Sequence, residues 1–550
     1  MRKNILYALF LFVISFGLAS CDDFLETVDK TNNVESNFFT NQQECEQALW
    51  GCYSILQQTN HQFIHQVAES LSDNCHLGAG TDGNETWDEF RDNGEQNMYE
   101  RLWKKAQWGV HRTNFLLEKL PGAPLKDDVR RELEAETKFL RAYFYFDFIK
   151  CFGNIPLSKS SEGRDLPQAN PKDVYKLIAE DLLFASENLP SNYSEQWFGR
   201  ATNWAAKSLL ARVYLYYTGY YQENDLAGVV NGDKIRVYVE DVIENSGHKL
   251  LDDYRSLWPY SQLTYYTKEA ESLFAGEAND EIIFTIKYSD EGTGESFLES
   301  SFDESFISTG NTWLIYMGPR FSSNYEANSA AKPKPFRDGW GFMPVVRSLY
   351  DDFDANDVRR DASIADLETE FGYSAGDNQK DYTGLWQQKY QPLLDETGKP
   401  IAGNDGSAWQ YGQGQDYYII RFADVLLMGA ELFLETDQAK AQGYFNQVRK
   451  RAFGAAYAEI PVTKDNIFEE RRFELAFEGL RYFDLLRYDG QNKLDYAKSR
   501  IDAKTGTVIR DLKEVDKVVN FRKETKGLLQ IPHNQINLSK ELKQNPGWEM

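Results

Sequence analysis

Beyond its first twenty residues, this 550-residue chain has no run of 18 apolar residues. No later segment therefore reads as a bilayer-spanning helix. Basic charge is also short, at 60 Lys and Arg against 85 Asp and Glu for a net −25. Such a surface repels nucleic acid and anionic lipid, and no Lys/Arg cluster overrides it, which excludes DNA and RNA as partners. Histidine is scarce at six residues. His61 and His65 have the i,i+4 spacing of a helical metal pair, but His61-Gln62-Phe63-Ile64-His65 lacks the glutamate of HExxH, which favours a surface or helix-end pair. There is no P-loop and no zinc ligand set, so the sequence calls for no cofactor.

Several motifs are present only in outline. Gly78-Ala79-Gly80-Thr81-Asp82-Gly83 matches GxGxxG but follows no strand and opens no βαβ unit, so it reads as a glycine-rich surface loop. Gly372-Tyr373-Ser374-Ala375-Gly376 matches the GxSxG nucleophile elbow. That elbow needs a buried strand before it and a helix after it, whereas Asp366–Phe371 is acidic and 377–381 is polar. Asp352, Asp354, Asn356 and Asp357 hint at a calcium loop, but position 6 is Asp357 instead of Gly and position 12 is Ser363 instead of Glu. No pair of glycosidase carboxylates can be identified from one chain.

What is present begins at the N-terminus. Arg2 and Lys3 precede an apolar run, Ile5–Ala19, that ends in Leu18-Ala19-Ser20-Cys21, the pattern of a signal peptide. The ending resembles a bacterial lipobox, which makes Cys21 the lipidated first residue of the mature protein, anchored and not spanning. Four cysteines remain: Cys45, Cys52, Cys75 and Cys151. Cys45 and Cys52 sit about 10 Å apart along one predicted helix, beyond disulfide reach, so buried thiols are expected. The chain carries 32 Tyr, 35 Phe and 12 Trp. Aromatics build cores, and they also stack on the C–H faces of sugars.

Helical periodicity dominates from Asn41–Gln57 through Met98–Lys119, Lys126–Cys151, Pro171–Asn188 and Ala201–Tyr221 to a shorter stretch at Val237–Ser246. It returns at Tyr418–Glu435, Asp437–Phe453 and Asp465–Tyr488. Between them, Glu281–Tyr288 reads as a strand and Glu291–Thr309 is rich in Gly, Ser, Phe and acids. Long irregular segments in a compact protein usually carry function.

The most patterned stretch is Glu469–Tyr488, EERRFELAFEGLRYFDLLRY. Phe473, Ala476, Phe477, Leu480 and Phe483 line one helical face, and Leu475, Tyr482 and Leu486 make a second stripe. A helix apolar on two sides part-buries its charges, which are spaced i,i+3 as Arg471/Glu474, Glu478/Arg481, Arg481/Asp484 and Asp484/Arg487. Gly479 in mid-helix points to a close backbone approach. Glu474 and Glu478, one turn apart, read as arginine-neutralised structure and not as an acid/base pair.

This stretch resembles the signature helix of the SusD/RagB family of nutrient-binding surface lipoproteins. Arg141–Leu157, Ala205–Gly219, Tyr418–Glu435 and Leu528–Trp548 resemble further family segments, in the family's order. The resemblance implies a mostly α fold: a tetratricopeptide-like helical superhelix with an inserted, loop-rich lobe containing short strands. The corresponding division is residues 1–20 as signal peptide, 21–40 as lipidated cysteine and tether, and 41–550 as one domain. Within it, a helical scaffold of 41–246 and 418–550 flanks a lobe of 247–417. The resemblance further implies a non-catalytic protein facing the cell exterior, anchored in the outer membrane. It would bind oligo- or polysaccharide and deliver it to a SusC-like TonB-dependent transporter. A peptide- or protein-binding lipoprotein and a surface glycan hydrolase are the alternatives. Trp50, Trp103, Trp108 and Trp204 fall in helical patterns and read as core, and Trp340 reads as packing. Trp87 beside Asn84, Glu85 and Asp88, Trp313 and Tyr316 near Asn311, and Tyr325 beside Asn324 lie in irregular segments, and they are the expected ligand-stacking aromatics.

Overall fold

The computed structural model describes residues 38–79, 87–91, 97–259, 273–289, 310–320, 339–376, 378–391 and 414–548. Cys21 and Tyr325 lie outside them. The first half is helical: α1 Gln42–Gln57, α2 Thr59–Ser70, α3 Asn97–Lys119, α4 Asp127–Phe152, α5 Pro171–Asn188, α6 Asn203–Tyr221 and α7 Gly232–Asn245. Local chemistry sets the starts. The side chains of Asn41, Asn170, Thr202 and Asn231 accept backbone N–H bonds from Glu44, Lys172, Ala205 and Lys234, and Pro171 opens α5. Helix α4 ends at Gly153, whose φ of +64° costs a side-chain-bearing residue strain. Successive helices pack in order, α3 on α4, α4 on α5, α5 on α6 and α6 on α7. Cys45, Cys52, Cys75 and Cys151 are buried free thiols.

The chain returns through strands β1 Ile282–Ile286 and β2 Tyr417–Arg421, which pair antiparallel and are buried throughout. Helices α8 Phe422–Phe433, α9 Gln438–Phe453, α10 Lys464–Glu474 and α11 Arg481–Asp489 follow. The expected helix Tyr418–Glu435 is thus corrected at its start. Tyr418-Ile419-Ile420 is β-branched and aromatic, and β1 gives it a ladder that outweighs helical periodicity.

The expected unbroken helix over Glu469–Tyr488 is also corrected. It stops at Glu474, and residues 475–480 turn before α11 begins, with Phe477 at φ +67° and Gly479 at φ +76°. A Cβ on Gly479 would stand 2.4 Å from His65 Nδ1. His65 is buried there, its ring 4.0 Å from that of Tyr417, and is no surface residue.

The break re-aims the charges, so three of the four expected pairs give way to partners far away in sequence. Arg481 donates to both oxygens of Asp73 at 2.7 and 2.9 Å, and to the Phe468 carbonyl at 2.9 Å. Arg500 and Arg472 approach the same carboxylate at 2.8 and 3.2 Å. Glu478 receives Arg421 and Lys389 at 2.8 and 2.7 Å. Arg471 bridges Asp424 and Asp484 at 2.6 and 2.8 Å. Only Asp484–Arg487, at 2.8 Å, pairs as expected.

Two further pieces complete the described fold. A hairpin, β3 Gly506–Arg510 with β4 Lys513–Lys517, joins the 378–391 stretch through a bridge between Ile509 and Tyr382. The C-terminal tail clasps the end of α4: Leu529 N donates to Cys151 O at 2.8 Å, and Asn545 Nδ2 to Phe152 O at 2.9 Å. Tyr373 and Ala375 sit in a small separate apolar cluster with Trp386 and Tyr382, and residues 378–381 behind them are not helical. No group of His, Cys, Asp or Glu among the described residues has the arrangement of a metal site.

Candidate ligand-binding surface

Segments more than 200 residues apart meet in one backbone ladder. Trp340 N donates to Ile315 O at 2.8 Å and Phe342 N to Tyr316 O at 3.0 Å, joining residues 339–343 to the short helix Trp313–Met317. Met343 N donates to Leu77 O at 2.9 Å and Ala79 N to Gly341 O at 2.7 Å, joining them to the glycine-rich stretch. Gly78 has φ +73°, and a Cβ there would lie 2.4 Å from Gly341 O. Its glycine therefore serves close backbone contact. Leu77 N donates to Asp88 Oδ2 at 2.8 Å, which fixes the Trp87 turn. Asn311 is tied to Gln415 O at 2.8 Å and accepts from Trp313 N.

The ladder brings Trp87, Trp313 and Tyr316 onto one frame, yet they are 1%, 1% and 8% exposed. The expectation of open rings is corrected for these three, because each flat ring is enclosed by others. Trp87 stacks toward Tyr99, and Tyr316 packs 5.9 Å from Trp313, 4.4 Å from Trp340 and 5.6 Å from Phe342. Trp340 and Phe342 are the half-exposed members. The Trp87 Nε1 donor has no acceptor among the described residues.

Charge closes the rear of this frame. Lys517 binds Asp88 and Asp381, and Arg510 reaches Glu89 at 2.6 Å. Burial raises the Asp381 pKa, but Lys517 and Arg510 outweigh it and hold the carboxyl well below its usual range. Burial, reinforced by the Lys517 cation, keeps His76 neutral.

A second aromatic surface lies where α1, the turn 195–200 and the end of β1 meet, around a cavity of about 240 Å³. Trp50 and Trp197 stack face to face, with centroids 5.2 Å apart and planes 6° from parallel. Arg200 lies over Tyr193 at 4.2 Å and Trp50 at 5.3 Å, and it is paired with Glu136 and Glu132. Lys287 pairs with Asp416 and passes 5.4 Å from the Phe198 ring. Gly199, at φ +100°, would place a Cβ 2.5 Å from Lys287 Cγ, so glycine lets the turn lie on that stem. Trp197 is 42% exposed, and Trp50 is half-buried where core was expected. Trp103 and Trp204 are buried as expected. Trp197 was legible by the rule that singles out Trp87, an aromatic in a polar, glycine-bearing stretch between helices.

A larger opening of about 450 Å³ is lined by Gln107, His111, Ser158, Arg164 and Leu538. Its aromatic rings, Tyr145 and Phe148, are both buried, and Tyr145 spends its hydroxyl on Ser158 at 2.6 and 2.8 Å. It offers no stacking face.

Residues 280–548 match the sequence profile described as the SusD family, and residues 23–215 match one described as "Starch-binding associating with outer membrane". A SusD-like protein of Formosa agariphila is 26% identical over 529 residues, covering 88% of this chain and 90% of that one. Among solved structures, a laminarin binding SusD-like protein is 27% identical with a TM-score of 0.72, covering 92% of this chain and 100% of that one. Surface glycan-binding protein A from Bacteroides fluxus is 26% identical with a TM-score of 0.72 at the same coverages. The helical scaffold is of the tetratricopeptide-like kind that these folds share.

Proposed function

The chain belongs to the SusD/RagB family, and on that premise we propose that it is a cell-surface glycan-binding lipoprotein. It captures oligo- or polysaccharide and hands it to a SusC-like TonB-dependent transporter, anchored in the outer membrane through Cys21 and without catalysing a reaction. Glycan binding is supported by the naming of its structural relatives as laminarin- and glycan-binding proteins. The observation that carries the reading is the aromatic frame. A sugar needs a rigid flat ring flanked by hydrogen-bonding groups, and Trp340 and Phe342 are half-exposed rings braced from behind by Tyr316 and Trp313. In this reading Trp87, Trp313 and Tyr316 support the site from within, and Tyr325, outside the described residues, is kept as a candidate ligand contact. A braced ring loses little freedom on binding, which favours affinity.

The absence of catalysis is supported by the pairing of the buried carboxylates around Arg421: Glu281, Glu474 and Glu478 all face cations. The test is a panel of laminarin, starch and cellulose oligosaccharides titrated calorimetrically into the purified protein, with product release followed in parallel. Binding that Trp340→Ala weakens several-fold, without product, supports the reading. Turnover of any glycan, or no binding across the panel, overturns it.

A further inference from the structure

The Trp50–Trp197 groove stands apart from the ladder, being built by α1, the turn 195–200 and the end of β1. We propose that this groove is a second sugar-binding site, which seats one neutral pyranose unit on the open side of Trp197. Three observations select that ligand. First, one face of Trp197 is covered by Trp50 at 5.2 Å while 42% of the residue stays open, which is a platform and not a filled core. Second, the cations of the groove are already matched. Arg200 faces Glu136 and Glu132, and Lys287 faces Asp416, so no net positive charge is left for a phosphate, sulfate or uronate. Third, the volume of about 240 Å³ falls below that of a drug-sized pocket and admits a single ring with its hydroxyls.

Hydrogen-bonding groups stand at the rim. Gln196 is exposed, and the Lys287 side chain is 42% exposed beyond its contact with Asp416. Gln57 is held by its bond to Lys287 O at 2.8 Å. The platform is rigid before any ligand arrives: Tyr53 donates to Glu136 at 2.8 Å, and Ala201 N donates to Tyr53 Oη at 2.9 Å, locking the turn to α1. Two separated sites on one chain would hold a long polysaccharide more tightly than either holds a short fragment.

The experiment uses purified protein labelled with 5-fluorotryptophan, observed by 19F NMR during titration with laminarihexaose, maltohexaose and cellohexaose. The Trp197 resonance is assigned by its loss in Trp197→Phe. The expected result is a saturable shift of that resonance with at least one saccharide, retained in Trp340→Ala. Trp197→Leu, whose fold is checked by its melting curve, should weaken retention on the matching immobilised polysaccharide about two- to tenfold. A Trp197 signal that stays fixed while other tryptophan signals move overturns the second site and leaves the glycan reading standing. A signal that moves only with protein concentration assigns the groove to a second copy of the chain and also overturns it. Silence of every tryptophan towards all three saccharides overturns both readings.

Discussion

Neutralising Asp73 should destabilise the protein more than removing any one of its arginines. The Asp73 carboxylate, 2% exposed, takes two charge-assisted bonds from Arg481, one from Arg500 and a longer contact from Arg472. Arg481→Ala removes the two Arg481 bonds and the one to Phe468 O, but leaves Asp73 with two cations. Its cost should sit near the lower end of the usual range for a broken buried pair, about 3 kcal/mol. Asp73→Asn keeps the shape but leaves Arg481, almost fully buried, with only a 3.6 Å approach to Glu469, while Arg472 keeps Asp352 at 2.6 Å, which raises the cost towards about 5 kcal/mol. Unfolding entropy of about 2.1 cal/mol/K per residue over roughly 500 residues means that each kcal/mol lowers the melting temperature by about 1 °C. Calorimetry should therefore show drops of about 3 and 5 °C. A double-mutant cycle should find strong coupling between residues 481 and 73 and next to none between 481 and 478. Equal or reversed costs, or drops below about 1 °C, would refute the shared-anion account.

Cys21→Ala should leave the melting curve unchanged and release the protein from the membrane, read by fractionation after a high-salt wash. Burial lifts Glu69 from an ordinary glutamate value of 4.5 to about 7. The folded state therefore binds more protons than the unfolded one, and this group's contribution is lost as pH rises from 4.5 through about 7. The loss is about 3 kcal/mol, and Glu69→Gln should flatten that part of the stability profile in urea titrations. Gly479→Ala meets both a left-handed φ and His65, so it should cost about 1–3 kcal/mol. Gly443→Ala, with nothing within 4 Å of its new methyl group, should be neutral or stabilise by up to about 1 kcal/mol in the same melts. Trp87→Ala should cost about 3–5 kcal/mol, because its ring is core, and any loss of binding it causes must be read against its melting temperature.

Most helices were legible because their apolar stripes are local. The starts read at Asn41, Pro171 and Ala201 recur in the structure within a residue or two. The break after Glu474 was not legible, because Phe477 and Leu480 keep helical spacing through it. What decides the break is Gly479 against His65, a contact made across more than 400 residues. The partners of Arg481 were hidden for the same reason: i,i+3 spacing offers neighbours, and Asp73 wins from afar. The candidate site was legible as a set of segments but not as a surface. Trp313 and Tyr316 occupy an irregular stretch, as read, but ring exposure depends on what the ladder stacks against them. Trp197 shows the converse, a signal present in the sequence that burial alone makes conspicuous.

The tail that closes over the end of α4 bears on the order in which the chain can be completed. Leu529 and Asn545 supply the bonds that finish the Cys151–Phe152 terminus, so those carbonyls wait until the chain has been made as far as residue 545. A ribosome emitting about 5–20 residues per second leaves the N-terminal helices without this clasp for tens of seconds. Residues 73 and 481 impose a similar wait. A copy cut short before residue 529 would emerge without this clasp, loose and open to proteolysis.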